Sequence, residues 1–158
     1  MAYGFVGIVH IAAIVFAVVE LGLTAYCVSV WDRAYADSSP SILNFMLFNS
    51  IWSILVLLYI GLTPLYFTRV FHRIASLALE WITMIFWFAG SIALAVDVGG
   101  PFNCGNNHYC GAVEAAIAFG FFLWALFCVL VVVDTIESLR SRRNHTITTK
   151  HGHGVTAA

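Results

Sequence analysis

Four long apolar stretches alternate with short polar connections along the chain, at residues 4–30, 42–63, 74–96 and 112–136. Each stretch reaches the roughly 20 residues that an α-helix needs to cross about 30 Å of hydrocarbon. The spans must be helical because every backbone N–H and C=O group has to be satisfied where water is absent. Short connections favour neighbouring antiparallel helices. The pattern therefore predicts an all-α, antiparallel bundle of four transmembrane helices in a single domain.

The composition agrees with this prediction and excludes several classes of function. Hydrophobic residues make up 61% of the chain and charged residues 9%, against about 25% charged residues in a typical soluble domain. Seven Lys and Arg residues form no basic patch for phosphates, so no nucleic-acid partner is expected. The chain also carries no nucleophile elbow and no phosphate-binding glycine loop. We therefore expect neither an enzyme nor a bound cofactor.

The distribution of basic residues predicts the orientation of the bundle. The second connection holds Arg69 and Arg73, whereas the third connection, residues 97–111, holds no Lys or Arg. The tail at 137–158 is polar and basic, and we expect it to be mostly disordered. Its arginines are Arg140, Arg142 and Arg143. By the positive-inside rule both termini face the cytosol, where these five arginines would contact anionic lipid headgroups.

The cysteines divide into an outer pair and two membrane residues. Cys104 and Cys110 lie in the third connection, which this orientation places outside, where oxidising conditions favour a disulfide. Such a bond would stabilise the loop by about 2–3 kcal/mol in the chain-entropy model. Two free thiols are the alternative. Cys27 and Cys128 lie within apolar stretches and are expected to be packing residues.

Six histidines raise the question of a metal site. His151 and His153 flank one glycine in the tail, but two histidines without a fixed scaffold make a poor site. His10 is the only histidine clearly inside a predicted span. We therefore expect no metal and no haem held between helices.

Ionisable residues inside the spans are the most informative feature for function. A carboxylate in hydrocarbon is costly, so it is expected to face the bundle interior, to be paired, or to carry a proton. In the first span, small and polar residues recur every three or four positions, which places them on one side of the helix. The third span has a similar seam. The predicted intramembrane polar cluster is His10, Glu20, Asn49, Ser53, Glu80 and Thr83.

Small residues predict where the helices approach each other closely. In membranes such residues allow short distances between helix axes. The predicted packing positions are Ala13, Ala17, Gly90, Ala112, Ala116 and Gly120. At about 1.5 Å per residue, His10 and Glu80 each lie about 9 Å from the inner ends of their spans, so we expect them to approach each other. The expected partners of Glu20 are Asn49, Ser50 and Ser53.

Three interpretations of the polar cluster stay open at this point. It can be a clasp that fixes the register of the helices, a site for lipid headgroups, or a relay for protons or ions. A relay normally has ionisable groups across the whole membrane, whereas here they lie mostly on two helices.

Several segments resemble the MARVEL family. The third span reads ALEWITMIFWFAG at 78–90 and the fourth reads AIAFGFFLWALF at 116–127. The pair Cys104 and Cys110 before the fourth span, the four-span layout and the two cytosolic ends also fit. The third span is similar to that of fungal members, and small fungal members linked to non-classical export and eisosome-type compartments are closest in size. The resemblance covers nearly all of the chain except the tail.

The resemblance implies a non-enzymatic protein that organises membrane domains, with roles in membrane apposition and trafficking. It further implies the plasma membrane, contact with sterol or sphingolipid, and self-association or association with other membrane proteins. The aromatic residues that would meet these lipids are Phe86, Phe88, Phe121, Phe122, Trp124 and Phe127, although they could equally pack against other helices. The rival functions are an accessory subunit of a larger membrane complex and a small proton- or ion-coupled transporter.

Overall fold

The fold is a bundle of four long α-helices. A computed structural model describes residues 2–35, 39–66, 69–99 and 108–152. The helices are α1 (Ala2–Tyr35), α2 (Ser41–Tyr66), α3 (Arg69–Asp97) and α4 (His108–Gly152). All regular structure within these ranges is helical, which confirms the predicted all-α, four-span architecture.

Each helix contains a segment that is long and apolar enough to cross a membrane. These segments are Val6–Ala34, Ser41–Leu62, Ile74–Asp97 and His108–Arg140. Local signals mark two helix ends. The carbonyl of Pro40 accepts bonds from the backbone N–H groups of Leu43 and Asn44, 3.0 and 3.3 Å away, at the start of α2. After α3, Gly99 adopts a φ of +86°, a conformation that glycine adopts without strain.

The fourth helix is longer than the sequence pattern indicates. It continues to Gly152, whereas the predicted span ended at 136 and a mostly disordered tail was expected. Residues 121–151 contain neither proline nor glycine, the two residues that most strongly interrupt a helix, so nothing local stops the helix before Gly152. The side chains of Arg69, Arg73, Arg142 and Arg143 lie outside the described part, and Arg140 is exposed. Their contacts with lipid headgroups stay predictions.

The helices pack in a square in which chain neighbours lie side by side. α1 packs against α2 and α4, and α3 packs against the same two helices. α1 and α3 are therefore diagonal, with no close backbone contact among the described residues. Small residues of α1 meet large ones from α3 and α4 in the core, where Ala13, Ala17, Trp87, Leu123 and Phe127 are all fully buried.

The outer surface of the bundle is apolar. Large aliphatic side chains are exposed on every helix, among them Ile11 on α1, Leu55 on α2, Ile85 on α3 and Val132 on α4. In water such a surface would favour aggregation. In a bilayer it faces acyl chains, and the polar side chains of the spans turn inward instead.

Candidate functional site

Polar side chains fill much of the bundle interior, and we call this set the interior polar seam. Its members come from α1, α2 and α3 and are fully buried: Glu20, Thr24, Asn49, Ser50, Ser53, Glu80, Thr83 and Ser91. Five of the six residues predicted for the polar cluster belong to it, and the sixth, His10, is half-buried. The helical spacing that placed these residues on interior faces is thus matched by their burial.

Two tryptophans join α2 to α3 in the middle of the seam. The indole Nε1–H of Trp87 donates to Ser53 Oγ at 2.8 Å. In the opposite direction, Trp52 Nε1–H donates to Thr83 Oγ1 at 3.1 Å. Each helix therefore supplies one indole donor and one hydroxyl acceptor, and we call these four residues the double indole clasp.

The hydroxyls of the clasp are themselves anchored. Ser53 Oγ donates to the carbonyl of Asn49 at 2.8 Å, and Thr83 Oγ1 donates to that of Leu79 at 2.7 Å. Each hydroxyl therefore accepts from an indole on the neighbouring helix and donates to its own backbone. A buried polar group that is satisfied in this way holds its helices in one register. Sequence reasoning placed Ser53 and Thr83 in the cluster but missed their indole partners.

An acidic cluster lies near the end of the bundle that carries both termini. His10 and Glu80, predicted to approach each other, lie on the diagonal helices α1 and α3. Both interact electrostatically with Asp134 of α4, which packs between these two helices. Asp134 was missed in the sequence analysis, although an acidic residue directly after the run CVLVVV within a predicted span was a usable signal.

Glu80 has an unusual environment in this cluster. It is fully buried, and neither of its carboxyl oxygens has a hydrogen-bond donor among the described residues. Asp134 of the adjacent helix α4 lies close enough to act on the Glu80 carboxyl electrostatically. Two ionised carboxylates are both acceptors, so they can form a hydrogen bond only when one of them carries a proton. His10 Nε2 is also buried and without a partner in the described part of the chain.

A second set of unpaired polar atoms lies in the other half of the bundle. Both carboxyl oxygens of Glu20, both amide atoms of Asn49 and Ser91 Oγ lack hydrogen-bond partners within the described ranges. The predicted partners Ser50 and Ser53 bond their own helix instead, through the carbonyls of Met46 and Asn49. The structure therefore buries Glu20 as expected but gives it none of the expected hydrogen bonds.

The small residues lie at close helix contacts. Ala13, Ala17 and Ala116 are fully buried, and Ala112 packs against the core. The two glycines leave no room for a side chain. A methyl group on Gly90 would lie 2.8 Å from Met46 Sδ, and one on Gly120 would collide with Ser91 Oγ.

Aromatic rings fill the grooves between adjacent helices. Phe16 of α1 meets Phe119 and Phe122 of α4, with ring centroids 5.4 and 6.1 Å apart. Phe88 of α3 lies 5.3 Å from Trp124 of α4. Phe88 and Phe122 are about half exposed, as expected for lipid contact.

Another expected lipid-facing aromatic lies elsewhere. Phe127 is fully buried in the core, as expected from the alternative in which these aromatic residues pack against other helices. Its position on α4 points inward together with Leu123 and Leu130, which lie about one turn away on either side.

The cysteines and histidines provide no metal centre in the described part of the chain. No group of three or more His, Cys, Asp or Glu side chains there is arranged to hold a metal ion. Cys27 and Cys128 are free thiols, and Cys27 is buried. Cys110 lies on the first turn of α4, but Cys104 is outside the described residues, so their disulfide stays a prediction.

Comparison with known proteins adds one finding. The family model named MARVEL, described as a membrane-associating domain, matches residues 3–133. No curated protein and no solved structure matches the chain. The matched region covers most of the four helices, including the whole interior polar seam and both aromatic grooves.

Proposed function

The chain belongs to the MARVEL family of membrane-associating domains, and on this premise we propose that it organises lipids in sterol- or sphingolipid-rich regions of a membrane. MARVEL domains occur in proteins of lipid domains and membrane trafficking, and the family is not known for enzymatic activity. The chain is accordingly an integral, multi-pass membrane protein.

The aromatic grooves carry the proposal. Phe122 is 56% exposed at the edge of the α1–α4 groove, next to Phe16 and Phe119. Phe88 is 45% exposed beside Trp124 in the α3–α4 groove. Flat, rigid rings set among exposed aliphatic side chains offer a rigid, flat lipid such as a sterol a large contact area. Two such grooves on one bundle would let a single molecule gather several sterols.

The inward direction of the polar groups supports the same function. Since the seam residues are fully buried, the hydrocarbon outside meets mainly apolar side chains. The double indole clasp likewise places the polar contacts between α2 and α3 inside the bundle, away from lipid. A lipid-organising protein needs a stable shape and surfaces that contact some lipids more closely than others.

The transporter alternative is less well supported by the arrangement of charges. Asp134 and Gly120, against which Ser91 Oγ lies, are about 21 Å apart along α4, at about 1.5 Å per residue. Between them, Trp87 and Phe127 are fully buried in the core. A proton relay would need ionisable groups or water through this layer. Flux of protons into liposomes, lost in Glu20→Gln and Glu80→Gln, would establish transport instead.

The location and orientation form part of the same proposal. We propose that both termini lie in the cytosol, since the second connection and the tail carry arginines, and we infer the plasma membrane from the family resemblance. An accessory-subunit role would leave the same apolar surface covered by another protein. Crosslinking with a photoreactive sterol can distinguish these cases, because a groove occupied by protein excludes the sterol.

The test uses the full chain in vesicles of its source membrane, which retain any partner protein and are supplied with a photoreactive sterol. We expect crosslinked peptides to map to the α1–α4 and α3–α4 grooves, and Phe122→Ala to reduce the yield several-fold. Leu62→Ala is the matched control, since Leu62 is 54% exposed but lies away from both grooves. Uniform labelling of all exposed faces, unaffected by Phe122→Ala, would contradict the proposal.

A further inference from the structure

We propose that arginines of α3 and α4, at the end of the bundle that carries both termini, form one binding site for a lipid headgroup with several phosphate groups. We call these five residues the arginine cluster: Arg69, Arg73, Arg140, Arg142 and Arg143. The cluster lies outside the aromatic grooves, so its function does not depend on sterol or sphingolipid contact there.

Two contacts fix how the antiparallel helices α3 and α4 pair. The ring centroids of Phe88 and Trp124 lie 5.3 Å apart. About one turn further from the arginine cluster, Ser91 Oγ lies against Gly120. Since Ser91 is three residues from Phe88 and Gly120 four residues from Trp124, both contacts describe the same register to within one residue.

This register brings the arginine cluster into one narrow layer. At about 1.5 Å per residue, Arg73 and Arg69 lie about 22 and 28 Å along α3 from the ring contact. On α4, Arg140, Arg142 and Arg143 lie about 24, 27 and 28 Å from it in the same direction. Because the axes of packed helices are about 8–10 Å apart, close to the Debye length of about 8 Å in physiological salt, both helices act on the same ligand.

The layer has a strong positive charge. Glu137, about one turn before Arg140, is half-buried and is the one acidic residue of the chain after Asp134. α2 contains no Asp or Glu, and neither α1 before Glu20 nor α3 before Glu80 contains one. Five arginines and Glu137 together leave a net charge of +4 in this layer.

A headgroup with several phosphates matches this concentration of charge. Like charges held close together repel, so an anion that contacts several arginines at once relieves the repulsion. A guanidinium binds a phosphate through two parallel N–H bonds. Phosphatidylserine offers a single net negative charge, whereas a phosphorylated inositol headgroup offers several phosphates at short separation. Clusters of about four to eight basic residues directly beside a membrane span are typical of sites for anionic lipids of this kind.

Apolar side chains next to the cluster favour a lipid over a soluble anion. The membrane-length segments of α3 and α4 begin at Ile74 and end at Arg140, within the layer itself. Ile74, Ile136 and Leu139 are each more than half exposed, and Arg140 is exposed beside them. A headgroup held by the arginines can therefore place its acyl chains against these apolar side chains.

Titration calorimetry of the full chain in a mild detergent tests the site with three ligands. These are short-chain phosphatidylinositol bisphosphate, phosphatidylserine with the same acyl chains, and free inositol trisphosphate. We expect one bisphosphate lipid per chain, bound about 10-fold or more tightly than either of the others. Equal affinity for phosphatidylserine would overturn the preference for several phosphates. Equal affinity for inositol trisphosphate would overturn the assignment to a lipid.

Substitutions on each helix test whether the two helices form a single site. The pair Arg69→Gln and Arg73→Gln, and the pair Arg142→Gln and Arg143→Gln, should each weaken binding about 10-fold, with one lipid still bound at saturation. Arg33→Gln, an exposed position at the opposite end of the bundle, is the matched control and should leave the affinity unchanged. Unchanged affinity in either pair would overturn the proposal. So would two lipids per wild-type chain, of which each pair removes one.

Discussion

Single residues determine how closely the four helices approach. A methyl group added at Gly120 would meet Ser91 and Met46, whereas one added at Gly22 on α1 would have no atom within 4 Å. Both glycines lie in the interior of a helix, where alanine is intrinsically favoured by about 1 kcal/mol. The two positions therefore separate the effect of packing from that of helix propensity.

We predict opposite effects for alanine at these two glycines. Gly120→Ala should lower the free energy of unfolding by about 1–3 kcal/mol, because the new methyl group collides with Ser91 Oγ and lies 3.3 Å from Met46 Cε. Gly22→Ala should be neutral or slightly stabilising. Unfolding by a denaturing detergent, monitored by circular dichroism, measures both.

Removing the hydroxyl of Ser91 should rescue the stability of Gly120→Ala, because this hydroxyl is the group with which the added methyl collides. Ser91→Ala removes Oγ, which has no hydrogen-bond partner in the described part of the chain, so by itself it should cost little. Combined with Gly120→Ala it should recover much of the lost stability, giving a coupling energy in a double-mutant cycle. Additive effects of the two substitutions would show that the close contact between Gly120 and Ser91 is not what limits packing here.

The sequence could indicate which residues face inward but not which atoms meet. Helical spacing placed Glu20, Asn49 and Glu80 on interior faces, and all three are fully buried. The atoms that these side chains meet depend on the rotation and register of the neighbouring helices. No simple periodicity in a single sequence specifies that rotation or register. Asp134 lies on the fourth span, outside the polar seams that the spacing defines in the first and third spans, so that spacing does not indicate it.

At the scale of helices, the thickness of the bilayer makes the existence and approximate position of each transmembrane helix straightforward to predict from the sequence. A span must be about 20 apolar residues long, and the four predicted stretches each fall within one helix of the structure. The ends of the helices were harder to predict, because a helix can continue into water without changing its hydrogen-bonding pattern. α4 illustrates this, since it runs to Gly152 through a polar and basic sequence.

The double indole clasp yields a prediction for the α2–α3 pair. Ser53→Ala leaves the buried indole N–H of Trp87 without its acceptor, and we expect a loss of about 1–3 kcal/mol in unfolding free energy. Thr83→Val, which keeps the shape of the side chain, should have a similar effect through Trp52. Unfolding titrations of both variants in the same detergent measure these losses.

A matched control is available on α1. The hydroxyl of Ser29 also donates to its own helix, to the carbonyl of Tyr26 at 2.8 Å, but in an exposed bond. Ser29→Ala should change stability by less than about 0.5 kcal/mol. A loss for Ser53→Ala no larger than for Ser29→Ala would mean that the indole bonds do not stabilise the helix pair.

The connection between α3 and α4 carries a prediction about cysteine. If Cys104 and Cys110 form the expected disulfide, Cys104→Ser and Cys110→Ser should each lower stability by about 2–3 kcal/mol, and the double substitution should add nothing further. Peptide mapping without reductant should recover the two cysteines in one linked fragment. Labelling of both thiols by a maleimide reagent in unreduced protein would contradict this pairing.

At the scale of the whole molecule, the interior combines an apolar core with buried polar side chains, and the outer surface is apolar. Fully buried Glu, Asn, Ser and Thr side chains lie inside, and isoleucine, leucine, valine and phenylalanine side chains lie outside. The four-span architecture and its family resemblance followed from the sequence, and the family match over residues 3–133 agrees with them. The diagonal placement of α1 and α3 did not follow from the sequence, because short connections fix only which helices are neighbours along the chain.

The central claim is that the protein itself gathers particular lipids. Native mass spectrometry of the gently extracted protein, with lipids retained, tests it most directly. We predict bound sterol or sphingolipid enriched over its share of the source membrane, with no other protein in fixed ratio. A constant ratio to a larger membrane protein, without lipid enrichment, would contradict the account and make the chain an accessory subunit.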